Sequence, residues 1–283
     1  MNTSISQLLL HFDASAQAVQ RLETACRLAQ QHGSALTALY AATPHYVELP
    51  FAPEIGPGIV AIQRQADQQH LAQARAAFDQ SQASPQGSAG VRAAWVEVHD
   101  DPILSTFARQ ALFADLLVMG QHDPSNAQMG QLPADFVQSV IMMSGKPALV
   151  LPYIGAPKVL GDTVLIAWKP SREAARAVAA SLPILQSARA VHVVSWGGEE
   201  SSVSGDRMDL TTYLKLRGVQ TTWHKQGPAP KDLGEMLLSF AFDVQADLLV
   251  MGCYGHSRAR EWALGGVTRT ILNSMTLPVL MAH

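Results

Sequence analysis

Three glycines near the end of the chain form two turns between a strand pattern and a helix pattern. Gly252 and Gly255 have two residues between them and follow an apolar strand pattern, and Gly265 comes after nine more residues, where a helix pattern begins. Glycine turns beside a helix N-terminus offer unhindered backbone N–H groups and the positive end of the helix dipole, which suits phosphate. The glycine turns beside a helix start therefore predict a site for a triphosphate chain, although tight turns alone would use the same glycines.

The strand that leads into this loop occurs twice in the chain. The hexapeptide Asp-Leu-Leu-Val-Met-Gly stands at 115–120 and at 247–252, and each copy is followed by a proline-led apolar strand, at 147–151 and 278–281. The first strand is also duplicated, at 8–12 and 164–168. Repetition of this kind indicates a tandem duplication. Corresponding residues of the two copies are 156 positions apart at the first strand (164 minus 8) but 132 apart at the hexapeptide (247 minus 115). The first half therefore carries extra sequence between its first strand and its hexapeptide.

The length and the alternation of strands with helices define the fold class. A chain of 283 residues suits two domains, and domains of about 140 residues need no disulfides. Strands alternating with helices imply right-handed crossovers and a parallel sheet covered on both faces. We predict two doubly wound, five-stranded, Rossmann-like α/β domains in tandem, at 1–153 and 163–283, joined by a linker at 154–162.

Local signals predict several element boundaries. We expect a loop at 84–90, followed by a strand and then a helix with Asp101 as its N-cap and Pro102 as its first residue. The first helix of the second domain should begin after Ser171 and place Glu173 away from its buried face. That buried face is predicted to consist of Ala174, Val178, Leu182 and Leu185.

Composition narrows the partners and the compartment. The net charge of -3 is spread without long blocks, which disfavours nucleic acid and anionic lipid as partners. No apolar run approaches the ~18 residues of a membrane span, and the N-terminal residues do not form a signal peptide pattern. Cys26 and Cys253 lie in different halves and predict no disulfide. We expect a cytoplasmic protein.

The glycine loop and its surroundings resemble the universal stress protein family, whose nucleotide-binding motif is G-x2-G-x9-G-[ST]. The resemblance covers essentially the whole chain as two repeats, as in the tandem members of the family. It implies an adenine nucleotide, ATP or a relative, in the second domain only, with Mg²⁺ accompanying ATP as the sole metal. The residues it implies for this site are Ala167, Trp168, Lys169, Met251, Gly252, Tyr254, Gly255, Gly265, Gly266, Val267 and Thr268.

Two positions of the second domain depart from the family motif. Gly266 stands where a Ser or Thr hydroxyl meets phosphate, and Lys169 stands where an Asp contacts adenine. Gly266 still offers a backbone N–H, and Thr268 could supply a hydroxyl two residues later. Lys169 removes the acceptor for adenine; its ammonium either pairs with a phosphate or is a solvated charge at a strand end.

The first domain departs from the motif in the complementary way. Asp13 keeps the adenine-contacting position, but the loop at 120–123 reads Gly-Gln-His-Asp, and Ala134 and Asp135 replace the Gly-[ST] pair. A carboxylate at the phosphate position repels the ligand and competes for the same N–H donors. We therefore predict that the first domain binds no nucleotide.

A second constellation lies at the strand ends of the first domain. Imidazoles and carboxylates gathered there could bind a divalent metal or perform acid–base chemistry, or they are polar loop residues and caps. No metal-ligand spacing supports the first interpretation, and no metal site is predicted. The residues are His11, Asp13, His99, Asp100, His122 and Asp123.

Motifs for catalysis are missing from the turns where related nucleotide folds carry them. The turns read Asp-Ala-Ser at 13–15 and Lys-Pro-Ser at 169–171, and neither a P-loop lysine nor a nucleophile elbow occurs. We predict a non-catalytic stress-response protein that senses nucleotide. The alternatives are a family member that binds no nucleotide and acts through protein partners, and a small-molecule or metal-dependent hydrolase that uses the His/Asp constellation.

The resemblance also implies an assembly. The two domains are expected to form an internal pseudo-dimer through their last strands, at 148–151 and 279–281, and the chain is expected to form a homodimer. The sequence names no protein partner.

Overall fold

The structure, a computed structural model, describes residues 4–41, 57–98, 102–123, 132–155, 159–197, 208–254 and 266–283. Two compact units divide the chain, Ile5–Ala156 and Pro157–His283. Each unit alternates strands with helices around a parallel sheet, so the predicted fold class of two doubly wound α/β domains in tandem is confirmed. Within the described ranges, no helix is long and apolar enough to cross a membrane.

The first domain is built on parallel strands in the order β3-β2-β1-β4-β5. These strands are β1 (Gln7–Phe12), β2 (Ala35–Tyr40), β3 (Ala94–Glu97), β4 (Leu116–Gly120) and β5 (Ala148–Leu151). The helices are α1 (Ala16–His32), α2 (Pro57–Ala83), α3 (Pro85–Ser88), α4 (Ile103–Ala111) and α5 (Phe136–Ser144). The strand order reverses between β1 and β4, whose paired residues Leu10 and Val118 are completely buried.

The second domain repeats this plan with the order β8-β7-β6-β9-β10. Its strands are β6 (Thr163–Ala167), β7 (Ala190–Trp196), β8 (Thr222–Gln226), β9 (Leu248–Gly252) and β10 (Val279–Ala282). Its helices are α6 (Arg172–Ser187), α7 (Leu210–Lys215), α8 (Leu233–Asp243) and α9 (Gly266–Ser274). The extra sequence of the first half includes α2, which has 27 residues where α7 has 6.

The aspartate that opens each copy of the hexapeptide ties two strands together. Asp115 accepts hydrogen bonds from the N–H groups of Ser6 and Gln7 at 2.8 and 3.0 Å. Asp247 accepts them from Gly161 and Thr163 at 2.6 and 3.2 Å. Charge-assisted bonds of this kind are about twice as strong as neutral ones. The repeated aspartate therefore fixes the start of the first strand in each domain and takes no part in the ligand chemistry.

Two local predictions in the first domain are wrong. The segment predicted as a loop at 84–90 contains α3, because the Ser84 hydroxyl accepts the Gly87 N–H at 2.8 Å and caps a single turn. Pro102 is the N-cap of α4 rather than its first residue, since its ψ of 130° is extended. A residue ahead of the first helical turn keeps such an extended conformation. The predicted cap Asp101 lies outside the described residues.

Candidate functional site

A cavity of about 300 Å³ opens at the carboxyl ends of β6 and β9, where the strand order of the second domain reverses. Ligands of doubly wound folds bind at this position. Nine of the predicted site residues line the cavity, namely Ala167, Trp168, Lys169, Met251, Gly252, Tyr254, Gly266, Val267 and Thr268. The other two, Gly255 and Gly265, lie outside the described residues.

Seven further residues line the cavity and were not predicted. They are Ser171, Glu173, Ala174, Trp196, Ala229, Leu233 and Leu237. Trp196 ends β7, so its position at a strand end was a usable signal. Leu233 and Leu237 lie four residues apart in α8, a spacing that places them on one helix face but does not say what that face covers.

The first turn of α6 forms one wall of the cavity. Ser171 is the N-cap, and its hydroxyl accepts the Ala174 N–H at 3.2 Å. A Cβ added to Gly252 would lie 2.5 Å from Ala174 N and 2.7 Å from the carbonyl carbon of Glu173. The absence of a side chain at Gly252 therefore lets this turn pack directly on the end of β9.

This close packing overturns the prediction for Glu173. The residue was expected away from the buried face, but it is only 3% exposed because the end of β9 covers the first turn of α6. Burial raises the pKa of its carboxyl, but hydrogen bonds from Arg172, from the Glu173 N–H and from Ser171 outweigh this effect and lower it below its usual value. A buried, ionised carboxylate thus lies in the wall of the cavity.

The start of α9 forms the opposite wall. Gly266 is the first residue of this helix, and an added Cβ there would find no atom within 4 Å. Thr268 follows in the same turn, lines the cavity and is 4% exposed. Unsatisfied N–H groups of a first helical turn and a nearby hydroxyl together suit an anion.

Aromatic and charged residues surround the rest of the cavity. Lys169 is exposed, whereas Trp168 and Trp196 are half-buried. The Trp168 N–H donates to the Val194 carbonyl at 2.8 Å, which holds the residue after β6 against β7. Tyr254 has a φ of 57°, a left-handed conformation that non-glycine residues rarely adopt. Indole and phenol rings offer flat surfaces for a planar ligand.

We expect different effects from the same substitution at two cavity glycines. Gly252→Ala forces α6 and β9 apart, because the new methyl group meets backbone atoms, and should cost about 1–3 kcal/mol of unfolding free energy. Gly266→Ala is the matched control and should change it by less than about 0.5 kcal/mol, since the methyl group meets open space. Chemical denaturation of both variants measures the difference. Equal losses would contradict the described packing.

The corresponding place in the first domain is filled by an arginine. Arg21, in α1, is 4% exposed, and its Nη2 donates to Asp13 Oδ2 at 2.8 Å. A Cβ added to Gly120 would lie 2.6 Å from Arg21 Nη1, so the guanidinium covers the end of β4. The repeat offset of 156 residues places Ala177 at the equivalent position of α6. The cavity that remains beside Arg21 is only about 10 Å³.

Asp13 is therefore engaged within the protein. Besides the bond from Arg21, it accepts hydrogen bonds from the backbone N–H of Ser15 at 2.9 Å and from the Ser15 hydroxyl. Burial raises the pKa of the Asp13 carboxyl, but the Arg21 guanidinium, the neighbouring His11 and the hydrogen bonds from Ser15 together outweigh this effect and hold it below its usual value. Asp135, which stands at the phosphate position of the motif and was expected to disfavour phosphate, is exposed and accepts the Ser139 hydroxyl at 2.8 Å.

The His/Asp constellation of the first domain is only partly assembled. His11 is 1% exposed, lies with its ring 4.8 Å from that of Phe136, and donates from Nε2 to the Ala41 carbonyl at 3.2 Å. Burial lowers the pKa of His11 to about 4. No group of three or more metal-ligating side chains occurs in the described part of the chain. His99 and Asp100 fall outside that part, whereas His122 and Asp123 lie within it.

Comparisons with known proteins identify the family. The model of the universal stress protein family matches residues 5–152 and 162–283. The chain is similar to a universal stress protein from Archaeoglobus fulgidus DSM 4304 (15% identity, 98% of this chain and 96% of that chain, TM-score 0.69). It is also similar to a functionally unknown protein from Pseudomonas aeruginosa PAO1 (16% identity, 98% and 92%, TM-score 0.58). No curated protein matches the sequence. The chain belongs to the universal stress protein family, with two family domains in tandem.

Proposed function

We propose that the second domain binds an adenine nucleotide, ATP with its accompanying Mg²⁺, and that the protein uses this binding for stress sensing or regulation. The first domain binds none. The observation that carries the proposal is that nine residues, predicted from the glycine loop and from the end of the first strand of the repeat, line one cavity at the topological switch point. The plugging of the equivalent crevice by Arg21 supports the difference between the two domains.

Two parts of the cavity lining, the start of α9 and the strand ends of β6 and β7, suit different parts of a nucleotide. Phosphate fits the start of α9, where Thr268 provides a hydroxyl and the helix begins without a side chain at Gly266. The base fits the strand ends of β6 and β7, where Trp168 and Trp196 line the cavity. Stacking accepts any base. The substitution of Lys169 for the family aspartate is therefore compatible with binding, with less discrimination for adenine.

Regulation without turnover agrees with the chemistry of the cavity. Cys253 immediately follows β9, but it is 1% exposed, and burial raises the pKa of its thiol to about 12. A thiol in that state is not a nucleophile at neutral pH. We also propose that the protein is cytoplasmic, because free cysteines are typical of a reducing compartment. The family resemblance further implies that it forms a homodimer.

Blocking the cavity mouth tests where the nucleotide binds. Ala229 is exposed and lines the cavity, so Ala229→Trp should fill the mouth and reduce ATP affinity about tenfold or more, while the fold tolerates the change. Ala179→Trp, on the exposed side of α6, is the matched control and should leave affinity unchanged. Titration calorimetry with Mg²⁺ and ATP measures both. Undiminished binding by Ala229→Trp would place the site elsewhere.

Restoring the family hydroxyl should strengthen binding. Gly266→Ser adds a hydroxyl in open space at the start of α9, so we expect ATP affinity to rise about fivefold, the effect of one added hydrogen bond. Gly266→Ala adds the same carbon atom without the hydroxyl and is the control. The same titration compares the two variants. If serine and alanine changed the ATP affinity equally, phosphate would not bind at the start of α9.

A further inference from the structure

Glu173 is a carboxylate that the nucleotide motif does not explain. It lines the cavity of the second domain, although its side chain is only 4% exposed. The equivalent residue of the first domain, at the repeat offset of 156, is Gln17. The first domain thus lacks both the open cavity and this negative charge.

Because Glu173 lies beside Gly252 at the end of β9, we place it in the middle region of the cavity. The strand ends with Trp168 and Lys169 form one end, and the start of α9 with Thr268 forms the other. A Cβ added to Gly252 would lie 2.9 Å from the Cβ of Glu173, so Glu173 stands over the point where β9 leaves the sheet toward α9. In a nucleotide whose base and phosphates occupy the two ends, the sugar occupies this middle region.

The hydrogen-bonding properties of the Glu173 carboxylate also favour the sugar of the nucleotide. An ionised carboxylate only accepts hydrogen bonds. It repels phosphate, and on the edge of adenine it meets the N1 acceptor beside the N6 donor. The vicinal hydroxyls of ribose are two donors with no competing charge, and acidic side chains hold ribose hydroxyls in other dinucleotide-binding folds.

We infer that Glu173 accepts a hydrogen bond from the ribose hydroxyls of the bound nucleotide and makes the second domain selective for ribonucleotides. This inference rests on the proposed function. The carboxylate already accepts hydrogen bonds from Arg172, Ser171 and its own N–H. Its two oxygens have about four acceptor positions, so a ligand donor can be added. Arg172 and Ser171 act as positioning residues, because they hold the carboxylate against the cavity wall.

The test compares ATP with 2′,3′-dideoxy-ATP, which lacks both donors. We expect the full-length protein to bind ATP about tenfold or more tightly than the dideoxy nucleotide, the effect of a hydrogen bond to a charged group. Glu173→Met should bind the two nucleotides within about threefold of each other, and Glu173→Gln should give an intermediate ratio. Titration calorimetry in the presence of Mg²⁺ gives all the affinities.

A control separates selectivity from helix stabilisation. Glu173 lies in the first turn of α6, where any carboxylate stabilises the helix. Glu235→Gln removes an exposed carboxylate from the first turn of α8 and should lower stability slightly without changing the nucleotide ratio. A purely structural role of Glu173 would lower both affinities equally and keep their ratio.

Each result decides between the proposals. An ATP preference that is lost in Glu173→Met supports the ribose contact. Equal affinities in the unsubstituted protein, or a preference that survives in Glu173→Met, overturn this inference and leave the nucleotide site intact. Failure of the unsubstituted protein to bind either nucleotide overturns both the inference and the proposed function.

Discussion

Arg21→Met should remove about 3–5 kcal/mol from the unfolding free energy of the first domain. Asp13 is a carboxylate whose side chain is only 13% exposed, and the buried Arg21 is its charged partner at 2.8 Å. Removing one member of a buried ion pair leaves the other desolvated and uncompensated, which is strongly destabilising. Denaturant unfolding of the full chain, followed by probes in each domain, measures the loss.

Two further variants establish the cause of this loss. Arg189→Met breaks an exposed pair with Asp162, whose side chains are 70% and 44% exposed, and should cost less than about 1 kcal/mol. Combining Asp13→Asn with Arg21→Met removes the unpaired charge and should recover part of the stability. If Arg21→Met cost no more than Arg189→Met, the buried pair would not be what fills the first-domain crevice.

The unfolding free energy should fall by about 3 kcal/mol between pH 7 and pH 4 because of His11. Burial lowers the folded-state pKa of His11 from 6.5 to about 4. The unfolded chain therefore binds the proton first, and the stabilisation present above pH 6.5 is lost as the pH falls toward 4. Burial also lowers the pKa values of His32 and His192, which act in the same direction.

His11→Gln isolates this contribution. Glutamine can still donate to the Ala41 carbonyl but does not titrate, so the loss between pH 7 and pH 4 should shrink by about 3 kcal/mol. Asp13 contributes in a lower range, since its lowered pKa means that its stabilisation is lost only below its ordinary value. An unchanged pH profile in His11→Gln would show that His11 is not the group responsible.

The fold was predictable because its signals are local. The apolar strands, the glycine turns and the alanine-rich helix faces recur in the same order in both halves, and right-handed crossovers leave few ways to arrange them. Six of the nine predicted residues that line the cavity came from a motif that joins a strand end to a helix start. Trp168 and Lys169 were predicted from another strand end, because they follow the first strand of the second repeat.

The interior of each crevice was harder to predict. An arginine and a glutamate in amphipathic helices normally face solvent, yet Arg21 and Glu173 are both buried. Arg21 is buried because Asp13 pairs with it, and Glu173 because Gly252 leaves no space between α6 and β9. Both causes lie in tertiary contacts between distant elements, which the pattern along a single helix does not reveal.

The number of nucleotides bound per chain tests the central claim most directly. We would titrate the full-length protein with Mg²⁺ and ATP by calorimetry, after mass spectrometry has shown whether nucleotide is retained on purification. One site per chain, weakened about tenfold or more by Ala229→Trp and unaffected by Ala179→Trp, is the result expected from an open second-domain cavity and a first-domain crevice filled by Arg21. Two sites per chain, or none in nucleotide-free protein, would contradict this account.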